Sequence, residues 1–102
     1  MKIYNLITID ENLANNRFII GNIENFPDNT VQIFNRYGAL VWNTIEYDNT
    51  KNAFYGKARE GNIINNSAYL PTGTYYYIIQ YFNSYLKEEK EVKGYIHIDN
   101  KK

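Results

Sequence analysis

The residues of this chain that could do chemistry are few, and they do not form a catalytic constellation. His97 is the single histidine and there is no cysteine, which removes thiolate nucleophiles, disulfides and cysteine-ligated metals. The chain shows neither a Ser–His–Asp pattern with elbow glycines nor a phosphate-binding glycine loop. His97 stands between Ile96 and Ile98, so period-two geometry places it with Tyr95 and Asp99, on the face opposite the isoleucines. We interpret it as a half-exposed strand residue and predict no catalytic residues.

One short segment carries the hard oxygen ligands that Ca²⁺ prefers. Asp10, Glu11 and Asn12 are consecutive, but their spacing is not that of an EF-hand and the turn glycine of such loops is absent. An oxygen-rich loop without that geometry is more often a solvated turn. We therefore predict no metal site and no cofactor.

The segment 70-LPTGTYYYIIQYF-82 is rich in aromatic and branched side chains. Counting by two gives two largely apolar faces, one with Tyr75, Tyr77, Ile79 and Tyr81 and the other with Thr74, Tyr76, Ile78, Gln80 and Phe82. This is typical of a central strand covered on both faces, or covered on one and flanked by large cross-strand neighbours. The spacing Gly73-x-Tyr75 also matches the tyrosine corner of immunoglobulin-like sandwiches, whose phenol bonds to nearby backbone. We predict that these tyrosines are mostly core, with an exposed carbohydrate-binding platform as the alternative.

Composition indicates a folded domain with balanced charge. The chain has 102 residues, 17% of them aromatic, with 11 basic and 11 acidic residues. This length predicts one domain over residues 1–102. The balanced charge gives no electrostatic footprint for nucleic acid, and no apolar run reaches the roughly 20 residues that cross a bilayer. Residues 1–16 lack the features of a secretory signal, so we expect a strand there and any such signal further upstream.

Strand signals dominate the apolar pattern. We expect strands at residues 3–9 and 17–23, a turn at 24–29, and a β-hairpin formed by residues 30–36 and 39–45 around Tyr37-Gly38. Residues 46–69 are predicted to be irregular, with anchors at 53–55 and 63–64. A strand at 74–82, a charged hairpin end at 87–93 and a last strand at 92–98 follow. Together they predict an all-β fold, an antiparallel immunoglobulin-like β-sandwich of about seven short strands.

The segments 30-TVQIFNRYGALVWNT-44, 70-LPTGTYYYIIQY-81 and 93-KGYIHI-98 closely resemble the gliding motility-associated C-terminal domain, the type B sorting domain of the type IX secretion system. Members carry an IFNRWG-x-x-V hairpin, an aromatic–Gly element, LP-x-GTYYY and a final KG-[YF]-[IV]-x-[IV]. The corresponding positions here are 33–38 with Val41, 54–56, 70–77 and 93–98, in the same order, and the resemblance covers nearly everything from Phe18 onward. The motif residues expected to be structural are Phe34, Asn35, Arg36, Tyr37, Gly38, Leu70, Pro71, Gly73, Thr74, Tyr75 and Tyr77.

Three departures from the family pattern are informative. Members usually begin with an NGDGxND-x-F loop, whereas this chain has 10-DENLANNRF-18, without the glycines and one acidic residue, so ion binding is not carried over to it. Tyr37 stands where Trp is common, and Phe54-Tyr55-Gly56 stands where a Trp-containing element is usual. Both changes keep a large ring, and we expect the fold to tolerate them.

The resemblance implies a non-catalytic sorting signal at the end of a larger exported protein. Its partners would be the outer-membrane secretion machinery and an upstream cargo domain, with no nucleic acid and no small-molecule substrate. Its route would pass through the periplasm to the cell surface or the medium. The terminal strand is the candidate recognition element, by pairing with a partner at a sheet edge: Val92, Lys93, Gly94, Tyr95, Ile96, His97 and Ile98. The alternatives are a carbohydrate-binding or adhesin-type module and a stand-alone copy of the domain with another partner.

Overall fold

A computed structural model of the chain describes residues 1–9, 16–60 and 63–101, with side chains described for all of these except residues 59, 60 and 63–68. The strands are β1 (Ile3–Tyr4), β2 (Leu6–Ile9), β3 (Ile19–Ile20), β4 (Asn29–Phe34), β5 (Leu40–Ile45), β6 (Lys57–Glu60), β7 (Ile63–Tyr69), β8 (Gly73–Asn83) and β9 (Glu88–Asn100). Residues Ile23–Asn25 form a 3-10 helix. Within these described ranges, no helix has the length and apolar character needed to span a membrane.

Five strands form the main sheet, in the order β2-β9-β8-β4-β5. Its neighbours are antiparallel except β2 and β9, which run parallel with Leu6 opposite His97 and Ile9 opposite Asn100. Two further pairs, β1–β3 and β6–β7, are antiparallel ribbons. The all-β prediction is confirmed, whereas the wholly antiparallel arrangement is wrong at the β2–β9 pair.

One face of the main sheet is buried. Alternate residues of its strands point into this face: Ile7, Ile9, Val31, Ile33, Trp42, Tyr75, Tyr77, Ile79, Ile96 and Ile98. Side chains from outside the sheet complete the core, among them Phe18, whose ring centroid is 5.2 Å from that of Tyr77, and Phe54, which is 5.2 Å from Trp42. The second layer therefore consists of the β1–β3 ribbon and the segments around these two phenylalanines.

The strand bounds differ from the sequence predictions where the chain changes layer or where its sequence is polar. The hairpin is confirmed as β4 and β5, and β8 covers the strand predicted at 74–82. The predicted first strand divides at Asn5, because β1 pairs with β3 while β2 pairs with β9. The prediction that residues 46–69 are irregular is wrong for the second half of this segment, which forms β6 and β7. Charged residues 88–91 belong to β9 itself and extend the β8–β9 hairpin.

The predicted anchors and the oxygen-rich loop have different outcomes. Phe54 is fully buried, so the anchor at 53–55 is confirmed. The side chains of Ile63 and Ile64 lie outside the described residues, as do Asp10, Glu11 and Asn12. The predictions made for those positions stay predictions.

The ring of Tyr77 requires a glycine at position 94. These two residues are directly opposite in the β8–β9 pair, and a Cβ atom at Gly94 would lie 2.5 Å from Tyr77 Oη and 2.7 Å from Cζ. The ring has little freedom to move away, since Phe18 packs against it and Tyr77 is only 7% exposed. An aromatic side chain that covers a strand glycine in this way restores the packing that the glycine lacks.

We predict that Gly94→Ala lowers the free energy of unfolding by about 1–3 kcal/mol, because the added methyl group overpacks the core against Tyr77. Urea denaturation measures the loss. Gly73→Ala is the matched control, since nothing lies within 4 Å of a Cβ atom there. If the two variants are equally stable, the Tyr77 ring is free to move and this contact does not constrain the sheet.

Tyr47 holds the segments of Phe18 and Phe54 together through its hydroxyl group. The hydroxyl donates a hydrogen bond to the Phe18 carbonyl and accepts one from the Phe54 amide at 3.0 Å. Burial raises the pKa of the Tyr47 phenol well above its usual range, with the Phe54 hydrogen bond acting in the opposite direction. The neutral phenol is thus the form that the fold selects.

This raised pKa predicts a loss of stability in alkali. The contribution of neutral Tyr47 is fully present below the unfolded-state pKa of about 10 and is lost as the pH rises above it. We expect Tyr47→Phe to lower stability by about 1–3 kcal/mol at neutral pH, because two buried backbone groups lose their partner. The same variant should lose less stability than the wild type between about pH 9 and 11. Urea unfolding at both pH values checks this, with Tyr55→Phe as the control. If the free energy of unfolding falls equally with pH in Tyr47→Phe and the wild type, the prediction is wrong.

Candidate recognition surface

The second face of the main sheet is open and carries its side chains in transverse rows. The rows across β4, β8 and β9 are Phe34–Tyr76–Tyr95, Gln32–Ile78–Lys93 and Thr30–Gln80–Glu91. The third row is linked by hydrogen bonds, from Thr30 Oγ1 to Gln80 Oε1 at 3.4 Å and from Gln80 Nε2 to Glu91 Oε1 at 3.1 Å. The face therefore changes along the strands from aromatic to polar and charged.

A shallow depression of about 730 Å³ lies at the aromatic end of this face. Its lining includes Phe34, Arg36, Tyr76, Ile78, Lys93 and Tyr95. Tyr76 is 46% and Tyr95 56% exposed, so packing within the chain leaves about half of each ring in water. No acidic residue belongs to the lining drawn from the described part of the chain. The depression combines apolar rings with positive charge.

Arg36 reaches this depression from the tip of the β4–β5 hairpin. Asn35 Oδ1 holds the turn by accepting hydrogen bonds from the amides of Tyr37 (2.9 Å) and Ala39 (3.0 Å), and Gly38 supplies the positive φ of 83°. The Arg36 guanidinium lies 4.9 Å from the centroid of the Tyr37 ring and donates to its hydroxyl at 2.6 Å. Tyr37 is 79% exposed. A tyrosine replaces the family's tryptophan there without a change in core packing, because the ring lies outside the core.

A second depression, of about 380 Å³, lies between the hairpin tip and the turn before β8. Tyr75 closes it from the core side, and its hydroxyl donates to the Pro71 carbonyl at 2.8 Å. The hydrogen bond predicted from the tyrosine-corner spacing is therefore confirmed. Burial raises the pKa of the Tyr75 phenol, and the positive charge of Arg36 acts in the opposite direction.

The family-motif residues divide into buried and exposed sets. Tyr75 and Tyr77 lie in the core, and Leu70 packs against it. Asn35 and Gly38 shape the hairpin turn. The motif residues that remain exposed are Arg36, Tyr37, Pro71 and Thr74, with Phe34 and Gly73 half-buried. The prediction that the tyrosines after Gly73 are mostly core holds for Tyr75 and Tyr77, with Tyr81 packed against the core and Tyr76 outside it.

The candidate recognition strand is an edge strand only over part of its length. Its residues Ile96 and Ile98 are buried, Gly94 lies under Tyr77, and Val92 packs against the core. The His97 amide donates to the Asn5 carbonyl at 2.8 Å, and β2 covers the strand from His97 onward. The expectation of a free edge is therefore wrong at His97 and Ile98, because the chain's own N-terminal strand occupies it. Before His97, no strand from the described ranges pairs with the outer edge.

Three exposed side chains of this strand point to the open face. They are Lys93, Tyr95 and His97. The placement of His97 with Tyr95, away from the buried Ile96 and Ile98, confirms the face predicted for it. The salt bridges found within the described ranges all join a lysine to a carboxylate and none involves His97. The same ranges hold no group of three or more His, Cys, Asp or Glu residues placed to bind a metal ion.

The family model for the CHU_C type IX secretion signal domain matches residues 1–98. The chain belongs to this family. Its function is that of a type IX secretion sorting signal, and the resemblance drawn from the motifs is confirmed. Such a signal implies export across the outer membrane, with contacts to the secretion machinery and to an attached cargo, and the family is generally non-catalytic. No curated protein and no solved structure gives a significant match.

The sequence did not predict that distant motif segments lie together on one open surface. The type IX signal motifs at 33–38, 70–77 and 93–98 all contribute to the larger depression. Tyr76 carried only a weak signal, since Thr74 and Gln80 on its face are polar but the other residues of that face are apolar. No sequence pattern placed Arg36 on this surface, because its position near Lys93 and Tyr95 depends on the order of strands in the sheet, which the sequence does not reveal.

Neighbouring tyrosines on β8 provide a direct test of the two faces. We predict that Tyr75→Phe lowers the free energy of unfolding by about 1 kcal/mol, because the hydrogen bond to the Pro71 carbonyl is lost. Tyr76→Phe should change it by less than about 0.5 kcal/mol, since its exposed hydroxyl has water as partner. Denaturant titration of both variants decides, and a larger effect at Tyr76 would contradict the assignment of faces.

Proposed function

We propose that the domain, as one unit over residues 1–102, is a C-terminal sorting signal whose open sheet face is the surface that the outer-membrane secretion machinery reads. The recognition surface is the larger depression with the exposed side chains of the terminal strand. Its central residues are Arg36, Tyr76, Lys93 and Tyr95. The cargo is the upstream part of the same exported protein, and it ends at the cell surface or in the medium.

The observation that carries this proposal is the exposure of apolar rings that the fold itself does not need. Large exposed apolar patches on soluble domains commonly mark interaction sites. Tyrosine and arginine are the residues that most often dominate binding energy at protein interfaces, together with tryptophan. Arg36, Tyr76 and Tyr95 gather on one surface from three separate segments of the chain. A partner segment with apolar and acidic side chains would complement them.

The proposed mode of recognition differs from the strand pairing at a sheet edge that was expected from the sequence. Since β2 already covers His97 and Ile98, the terminal strand contributes through the side chains of Lys93, Tyr95 and His97 on the open face. Deletion of residues 93–102 would remove the buried Ile96 and Ile98 and hence the fold. Substitution of exposed residues is therefore the sharper experiment.

The one-sided core also supports a relation to the immunoglobulin-like sandwich. In this arrangement the main sheet is one layer, and the β1–β3 ribbon with the segments around Phe18, Tyr47 and Phe54 forms a reduced second layer. The hydrogen bond from the Tyr75 hydroxyl to the Pro71 carbonyl corresponds to that of the tyrosine corner. Family membership supports the sorting role, whereas nothing supports the carbohydrate-binding or adhesin alternative.

The experiment compares export of a reporter fused to wild-type domain, Arg36→Ala and Tyr76→Thr in a host with this secretion system. We expect each substitution to reduce the exported fraction at least about fivefold, as removal of roughly 1 kcal/mol of binding energy would. Threonine at position 76 keeps the β-propensity of the strand, and thermal unfolding of purified variants verifies the fold.

Tyr85→Thr is the matched control, because Tyr85 is 93% exposed on the β8–β9 turn and outside the depression. Its export should equal that of the wild type. Equal export of all the folded variants would exclude the open face as the surface that is read, while leaving family membership intact.

A further inference from the structure

The two edges of the main sheet are not alike. At β5, the Ile45 carbonyl accepts a hydrogen bond from Asn52 Nδ2 at 2.6 Å, and the pairing with β4 shifts register between Ile33 and Phe34. Side-chain caps and bulges of this kind prevent strand addition. At β9, the pairing with β8 is regular from Glu88 to Ile98. Residues 88–96 therefore form a regular strand edge with no partner strand among the residues that the structure describes.

The direction of the backbone groups along this edge follows from the alternation of the strand. The amide of His97 points to β2, where it bonds the Asn5 carbonyl, and so does the amide of Lys101, which bonds Ile9. Because backbone groups alternate sides, the N–H and C=O groups of residues 89, 91, 93 and 95 point to the same outer edge. These are the groups that an added strand would bind.

We propose that this edge pairs with the same edge of a second copy of the chain, antiparallel, about a two-fold axis at Val92. In this register Glu91 lies opposite the copy's Lys93, and Lys93 lies opposite the copy's Glu91. The pairing supplies about eight backbone hydrogen bonds, two for each directly opposed pair of outward-facing residues. Glu89 lies opposite the copy's Tyr95.

Charge selects this register over its neighbours. An axis at residue 91 keeps two Glu89–Lys93 pairs but adds Glu91 opposite Glu91, and an axis at residue 93 places Lys93 opposite Lys93. An axis at residue 90 places Glu89 opposite Glu91. Like charges directly opposite each other destabilise a strand pair, whereas opposite charges stabilise it. An axis at residue 94 is blocked, because it places the copy's Glu91 opposite His97, where β2 already occupies the edge.

The rearrangement of side chains needed for this pairing is small. Within one chain, Lys93 Nζ lies 3.3 Å from Glu91 Oε2, and both side chains are largely in solvent. The two ion pairs between copies replace two such exposed pairs. A two-fold axis normal to the sheet keeps both open faces on the same side, since each strand retains its inward and outward residues. The dimer thus presents two recognition surfaces side by side, which raises avidity for a clustered partner.

The interface is narrow, so the dimer should dissociate on dilution. Sedimentation equilibrium of the purified domain should give a mass that rises with concentration from 12.1 kDa toward twice that value. Glu91→Lys and Lys93→Glu should each remain monomeric over the same range, because like charges then face each other. An equimolar mixture of these two variants should dimerise, since both pairs between positions 91 and 93 are again of opposite charge.

Lys90→Glu is the matched control, because Lys90 alternates onto the other face of β9 and pairs with Glu88 at 2.7 Å. It should dimerise as the wild type does. A wild type that stays monomeric at all concentrations, or single variants that dimerise as well as the wild type, would overturn the proposal. The inference does not rest on the proposed reading of the open face, and the sedimentation result is independent of export.

Discussion

The contact between the ring of Tyr77 and Gly94 is the constraint on which the rest of the structure depends. It fixes how closely β8 and β9 approach on the buried face, and Phe18 from the second layer packs on the other side of the same ring. A side chain at position 94 would displace the ring. Since the β8–β9 pair is the longest in the sheet, its geometry determines where Lys93 and Tyr95 lie relative to Tyr76.

The burial of one sheet face explains the surface on the other. In a strand, residues that flank a core position must point outward, so Tyr76 is exposed because Tyr75 and Tyr77 are buried. The same alternation exposes Tyr95 beside the buried Ile96. Core packing therefore determines the places of these rings, but it does not require them to be aromatic. A single pair of strands thus supplies both the buried rings and the exposed rings.

Local features of this fold were predictable from the sequence, because local patterns carry them. The Tyr37-Gly38 turn, the alternation of β4 and the hydrogen bond of Tyr75 to Pro71 follow from turn chemistry and period-two spacing. The family resemblance supplied the sorting role. The parallel pairing of β2 with β9 was not predictable, since it joins the two ends of the chain. The β6–β7 pair was not predicted because its sequence is polar and rich in asparagine, so that pairing partners rather than propensity determine it.

The candidate site shows the same limit. The strand 92–98 was recognised as a motif, but whether it was an edge depended on where residues 6–9 lie in space. Gly94 belongs to a sequence motif, but the sequence does not show why glycine is needed there. The structure shows that the ring of Tyr77 leaves no room for a Cβ atom at this position, and Tyr77 Oη would be the nearest atom to it. Side-chain alternation gives the face of each residue, whereas the sheet order decides which faces combine into a surface.

The location of a reporter that carries this domain tests the sorting role directly. Residues 1–102 are fused behind a signal peptide and a fluorescent protein and expressed in a host with a type IX secretion system and in the same host with that system inactivated. We expect fluorescence at the cell surface or in the medium of the first strain, with retention in the periplasm of the second. Retention in the periplasm of both strains, with the domain folded, would exclude a sorting role.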